Sequence, residues 1–529
     1  MDGTDDLDAH EQLVRALRAA FSRPGGPGSA WPVPLPPGTP VECLRTHIST
    51  VLLAGGHALK LKRPVRLPFL DFSTPARREH FCREELRVNR RTAPALYLDV
   101  LPVRGSPESP AVGAGGAGPA FDWAVWMRRF DNGGLYDRLA REGRLTEDHV
   151  DALAETVARF QAAQPPSGPP WGDPADALRW ARDNVAELQS LTRAAAGLAG
   201  CGPALQGLAA WTEDRHAQIA PLLQRRRDSG AVIEGHGDLH LGNIVWHEGA
   251  PLLFDAIEFD PALRHADRYA DLAFVFMDLH AHGLPASAWR WLSGVLEHGG
   301  DHDGLPLLRW FAAYRALVRA KVALLSGGPA AVPRAQALVA LAQSLARPAA
   351  PARLVLTCGL SGSGKSTVAQ ALVEALGAVR VRSDVERKRL HGLAATQRPA
   401  DPARIYDRAS TERTYARLAE VARAGLAGGV SVVVDAVFNR RAERDAMRRL
   451  AREFGAGCLV VDCQAPAAVL HERLARRRAE GRDASDADAS VLELQQRTRE
   501  PPTVDEGATV ILDTDCGPGL LQTRVLGLL

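Results

Sequence analysis

Lysine is nearly missing: there are five in 529 residues, so arginine carries almost all of the basic charge and each lysine stands out. Neither sign of charge is in surplus. The 64 basic and 62 acidic residues leave +2, which excludes the broad positive field of a nucleic-acid or anionic-membrane binder. The seven cysteines are scattered, odd in number and without C-x-x-C or Cys/His spacing. That excludes a disulfide framework or zinc module and predicts reduced, mostly buried thiols. No apolar run reaches the length of a membrane span, and the first residues, MDGTDDLDAH, are acidic where a secretory leader is basic. A cytoplasmic protein with no membrane and no nucleic-acid partner is expected.

What is present is globular in composition, 46% hydrophobic and 24% charged, at a length beyond which single cores stop growing. Pro/Gly-rich stretches at 22–40 and 106–120 predict an irregular connection and a surface insertion. A Pro/Ala-rich break at 346–352 precedes the apolar strand RLVLTCGL and predicts the main boundary, with domains at 1–345 and 353–529. The halves are expected to fold independently when cut near Ala350. Upstream, strand-like segments (STVLLAGGHALKLK, AFDWAVWMRRF) give way to mostly helical sequence from about 144. Downstream, apolar runs at 353–358, 378–382, 430–434 and 457–462 alternate with amphipathic helices, which predicts a parallel α/β sheet.

The segment GLSGSGKST satisfies GxxxxGK[ST] between a predicted strand and helix. Gly359, Ser361, Gly362, Ser363, Gly364 and Thr367 belong to a loop whose N–H groups would wrap phosphates. Lys365 would reach the β/γ-phosphates, and Ser366 would ligate Mg²⁺. Asp435 closes the apolar strand VSVVVD, where a second Mg²⁺ ligand is expected; the bland alternative is a turn. No glutamate follows it, which favours transfer over hydrolysis. Asp384, after the second strand, is the candidate base or substrate anchor. Arg387, one turn on, either clamps an anion or lies on a solvated basic face. Arg473 and Arg477 in HERLARRRAEG are candidates for a mobile lid that neutralises phosphoryl charge; otherwise they form an exposed basic helix. This region resembles the nucleotide- and gluconate-kinase-like P-loop group, which implies an ATP-binding α/β domain.

In the N-terminal half, EGHGDLHLGNIV places Asp238 and Asn243 in the HxDxxxxN spacing of kinase catalytic loops. There the Asp accepts the acceptor hydroxyl proton and the Asn binds Mg²⁺. Asp255, after a short apolar strand, sits where the second metal-binding aspartate is expected. His236 is expected to support the loop by packing. GGHALKLK places Lys60 and Lys62 on one strand face; Ala58-Leu59-Lys60 matches the end of a VAIK pattern, so Lys60 is taken as the ATP-anchoring lysine. Glu85 is its chosen partner from the following helix, with Glu84 the alternative. Met127 and Arg128 would lie beside adenine. Asp260, Asp267 and Asp271 would either attract an aminated sugar or act as helix caps.

The wording HGDLHxGN with a downstream Asp resembles the aminoglycoside phosphotransferase and choline kinase superfamily over about 40–345. No GxGxxG loop precedes Lys60, a departure that leaves the phosphate grip there open. The fusion resembles bacterial bifunctional aminoglycoside phosphotransferase/ATP-binding proteins. That resemblance implies a bilobal α+β kinase-like domain followed by the P-loop domain, both using ATP and Mg²⁺ to phosphorylate a small hydroxylated acceptor. A nucleotide-gated regulatory protein with one non-turning site, or a P-loop ATPase, remains the alternative.

Overall fold

The structure is a computed structural model that describes residues 3–21, 39–67, 70–113, 118–194, 196–348, 350–399, 401, 405–480 and 483–528. The expected connection at 22–40 lies mostly outside the described residues, as do the tip of the 106–120 insertion and Ala349. The chain forms two compact units, one of Met1–Leu145, Gln164–Gly172 and Gly230–Asp271, the other of Thr146–Ala163, Asp173–Ser229 and Leu272–Leu529.

The first unit is built on a sheet of β1 (Val41–Arg45), β2 (Ser49–Ala54), β3 (His57–Lys62), β4 (Tyr97–Ser106), β5 (Ser109–Val112) and β6 (Asp122–Arg128) in the order β1-β2-β3-β6-β4-β5. All its pairings are antiparallel. Side chains alternate across a strand, and β3 shows what that does. Leu59 and Leu61 pack with Leu13, Val14 and Leu17 of the N-terminal helix α1 (Gly3–Phe21), whereas Ala58 packs with Cys82, Leu96 and Met127 on the other face. Lys60 and Lys62 share the face of Ala58. Helix α2 (Pro75–Asn89) starts where Thr74 accepts the Arg77 N–H and Pro75 occupies its first turn, two features of a helix start.

In the second unit, long helices, among them Glu147–Ala163, Gly202–Asp228, α3 (Pro285–Gly299) and Leu308–Ser326, accompany a five-stranded parallel sheet. Its strands are β7 (Arg353–Cys358), β8 (Ala378–Arg382), β9 (Ser431–Asp435), β10 (Gly457–Gln464) and β11 (Thr509–Asp513), in the order β8-β9-β7-β10-β11. The four strands expected from apolar runs are present. The edge strand β11 was not foreseen; its Ile511 is 68% exposed.

Few contacts were expected across 346–352, and the structure corrects this. α3, upstream of the break, packs on β8 and on helix α4 (Lys365–Leu376). Ser293 Oγ accepts the Arg380 N–H, Arg290 reaches Glu374, and Arg309 donates to the Gly429 carbonyl. Residues 353–529 expressed alone are therefore expected to aggregate, and co-expression with 1–345 to return them to solution. Size-exclusion chromatography of the fragment with and without its complement checks this; a monodisperse lone fragment contradicts it.

Candidate functional site

Two polar constellations form, one in each unit. In the second, the loop after β7 turns back on itself through glycines in left-handed conformations. Gly359 has φ 132°, and a Cβ there would stand 2.3 Å from the Cys463 carbonyl oxygen; Gly364 has φ 81° and opens α4. Only glycine takes such angles without strain. The loop thereby brings Ser361, Lys365 and Ser366 to one pocket with Arg382, Asp384, Asp435 and Arg477. Lys365 Nζ donates to the Leu360 carbonyl at 2.8 Å; burial pushes its ammonium pKa down, with Asp435 opposing.

Asp435 is 5% exposed. Its Oδ1 is 3.4 Å from Thr357 Oγ1, while Oδ2 is buried without a hydrogen bond among the described residues. A buried carboxylate oxygen without a donor is costly, and its place beside Ser366 fits a divalent cation. Asp384 lies in the first turn of α5 (Ser383–Leu390).

The two arginines expected on a lid separate. Arg477 lines the pocket, 3.4 Å from Asp483, while Arg473 is tied to the Gly362 carbonyl and to Thr514, bracing the loop from outside. Arg387 is not on a solvated face: it is 6% exposed, donates to the Ile405 carbonyl and to Thr411, and lies over the Tyr406 ring. Sequence reasoning missed Arg382 and Gln495, whose Oε1 accepts the Ser361 N–H. Arg382 could have been found from its place directly before Ser383-Asp384 at a strand end.

In the first unit, Lys60 Nζ is 2.7 Å from Glu85 and 2.6 Å from Asp255. Burial alone would lower this ammonium's pKa, but the two carboxylates outweigh it and hold it well above its ordinary value. Glu85 also reaches Lys62 at 2.8 Å, and Lys62, fully buried, pairs with Glu258. Burial opposes ionisation of Glu85, yet the two lysines hold its carboxyl below its ordinary value. Glu85 thus bridges both lysines, while Glu84 turns to Arg87 and Arg264. Glu258 was not foreseen, because nothing in its local sequence shows that it meets Lys62.

Asp255 has φ 60°, a conformation unusual outside glycine, and two bonds pin its turn: its N–H donates to Tyr97 Oη and the next N–H to Asn89 Oδ1. Asn243 Nδ2 donates to the Asp238 carbonyl at 2.9 Å and to its Oδ2 at 3.2 Å. His236 is fully buried with Nε2 at 2.9 Å from the Phe254 carbonyl, the supporting role expected of it. The acidic residues all accept backbone N–H groups, Asp260 as a helix cap. Asp271 accepts the His236 and Gly237 N–H groups, Asp260 accepts that of Ala262 and Asp267 that of Tyr269. Met127 and Arg128 pair with Ala58 and His57 across β3 and β6.

Among the described residues no cluster of three His, Cys, Asp or Glu could hold a metal, and no helix is long and apolar enough to cross a membrane. All seven cysteines are free, four of them buried.

Residues 354–502 match the family model AAA_33, described as an AAA domain. Two solved structures resemble this part. A sugar kinase from Janibacter sp. HTCC2649 is 25% identical with a TM-score of 0.27, covering 34% of this chain and 94% of its own. A gluconokinase from Sinorhizobium meliloti 1021 is 27% identical with a TM-score of 0.25, covering 34% and 91%. Along nearly the whole chain, the uncharacterized proteins Mb2027c of Mycobacterium bovis and Rv2004c of Mycobacterium tuberculosis are each 31% identical over 465 residues, 86% of this chain and 90% of theirs. The chain belongs to the family of these mycobacterial proteins.

Proposed function

We propose that the protein is an ATP-dependent phosphotransferase with two nucleotide sites, each moving the γ-phosphate of Mg-ATP to a small hydroxylated acceptor. The observation that carries this is the meeting of Lys365, Ser366, Asp384 and the unbonded oxygen of Asp435 in one pocket behind a glycine loop. The loop N–H groups and Lys365 bind the phosphates. Ser366 and Asp435 would hold Mg²⁺, which neutralises charge on the transferring group when bound. Asp384 orients the acceptor hydroxyl and takes its proton, and Arg477 offsets negative charge at the mouth.

The N-terminal reading is supported by Lys60 meeting both Glu85 and Asp255 and by the Asn243 amide bonding to Asp238, in the order a kinase site would use. Lys60 positions the phosphates, Glu85 holds Lys60, Asn243 and Asp255 are the metal-binding pair, and Asp238 receives the acceptor proton. An aminoglycoside-like or other sugar acceptor suits this site by resemblance to antibiotic kinases.

The test is a metabolite-library screen with γ-labelled ATP on the full chain and on the Lys365→Ala and Asp238→Asn variants. Acceptors labelled by the wild type and lost in one variant only assign each activity to its site. If neither substitution affects labelling, the assignment fails.

A further inference from the structure

Arg382, at the end of β8, has a carboxylate on each side. Its Nη1 is 3.1 Å from Glu297 Oε1, its Nη2 is 3.0 Å from Asp483 Oδ1, and its Nε stands 3.7 Å from Asp435 Oδ2. Hydrogen bonds occupy both terminal nitrogens, and the Asp435 separation is too long for one. Glu297 is the unexpected member. It lies on α3, more than fifty residues before the segment that matches the AAA domain, and its other oxygen binds Arg380 at 2.6 Å. The neighbouring Ser293 Oγ accepts the Arg380 N–H, and Arg380 Nη1 in turn reaches the Ser366 carbonyl in the P-loop. One turn of α3 is thus wired to both sides of the pocket.

The consequence follows from the geometry of a guanidinium. A guanidinium freed of one partner has a fork of donors available to another carboxylate within reach. Without Glu297, Nη1 is released, Nη2 stays on Asp483 at 3.0 Å, and the remaining carboxylate beside the guanidinium is Asp435, 3.7 Å from Nε. Closing the 3.7 Å gap would occupy the oxygen on which a divalent cation depends.

We propose that Glu297 is a positioning residue of the P-loop site: by holding Arg382 it keeps Asp435 available to a divalent cation, so a helix outside the nucleotide-binding domain sets that domain's metal requirement. This rests on the P-loop reading given above. Two effects of removing the Glu297 charge act together on the metal, since the freed guanidinium competes for Asp435 and the pocket becomes more positive. Both weaken cation binding, whereas the added positive charge does not weaken metal-free nucleotide.

The test uses the full chain, a non-hydrolysable ATP analogue and Mn²⁺ followed by electron paramagnetic resonance, with Lys365→Ala supplying the signal from outside the P-loop. Glu297→Gln is expected to raise the Mn²⁺ midpoint at least about tenfold, the scale of one unit charge about 12 Å away at an effective dielectric of about 20. Analogue binding in EDTA should be unchanged or tighter. Adding Arg382→Gln to Glu297→Gln should restore the midpoint, because no competitor for Asp435 remains. An unshifted midpoint in Glu297→Gln, equal weakening with and without metal, or a double variant as weak as the single one overturns the proposal. Should Glu297→Gln fail to fold, Arg382→Gln alone decides. A midpoint at or below wild type supports the proposal, and a weaker one overturns it. A wild type with no Lys365-dependent analogue binding instead overturns the P-loop reading itself.

Discussion

Asp238→Asn is expected to lower phosphoryl transfer at the N-terminal site by roughly 10²- to 10⁴-fold, the usual worth of a positioned general base, while Mg-ATP binding stays near the wild-type value. Asp255→Asn is expected to weaken Mg-ATP binding itself. The difference lies in when each contact is made. Asp238 is 37% exposed at its side chain, and its Oδ2 accepts the Asn243 amide at 3.2 Å. An asparagine retains an oxygen for that bond, so the loop should keep its shape. What is lost is the base, a contact that counts chiefly in the transition state. Asp255 instead binds Lys60 at 2.6 Å and sits in a turn pinned by Tyr97 and Asn89. Its charge is arranged before any acceptor arrives, so its loss appears in the ground state. Calorimetric titration of Mg-ATP into both variants, each in a Lys365→Ala background so that only the N-terminal site responds, measures the split. Equal loss of binding in the two variants would contradict the assigned roles.

Lys365→Ala is expected to abolish nucleotide-dependent activity of the P-loop site, by at least about 10²-fold, the scale for removing one preorganised donor to a developing anion. The melting temperature should barely move. Lys365 makes no ion pair among the described residues and donates only to the Leu360 carbonyl, so the fold loses one hydrogen bond. Burial, which pushes its ammonium down, works against the charge it must carry, a cost kept for phosphate rather than for packing. Binding of a fluorescent ATP analogue, read beside thermal unfolding of the same sample, checks both halves. Unchanged affinity and turnover, or a large fall in melting temperature, would contradict this role.

Wherever residues that meet are close in sequence, their meeting was legible before any fold was known. The loop from Gly359 to Thr367 reads directly because strand, glycines, lysine and helix follow one another, and each has a backbone reason for its place. Asp238 and Asn243 read for the same cause: five residues apart, they meet through a single short turn. Lys60 with Glu85 needed only one strand and the helix after it. Alternation on β3 likewise placed Lys60 and Lys62 on one face.

What only the tertiary structure decided are the partners that arrive from far along the chain. Glu258 meets Lys62 across 196 residues, Asp271 accepts the His236 and Gly237 N–H groups from 35 and 34 residues away, and Glu297 reaches Arg382 across 85. Local propensity and periodicity carry no information about such pairs, since they are set by how helices and sheets stack. The break at 346–352 shows the same limit. Its proline and alanine content determines that the chain is irregular there, but whether α3 then docks on β8 depends on the shape of two surfaces that do not exist until both have folded.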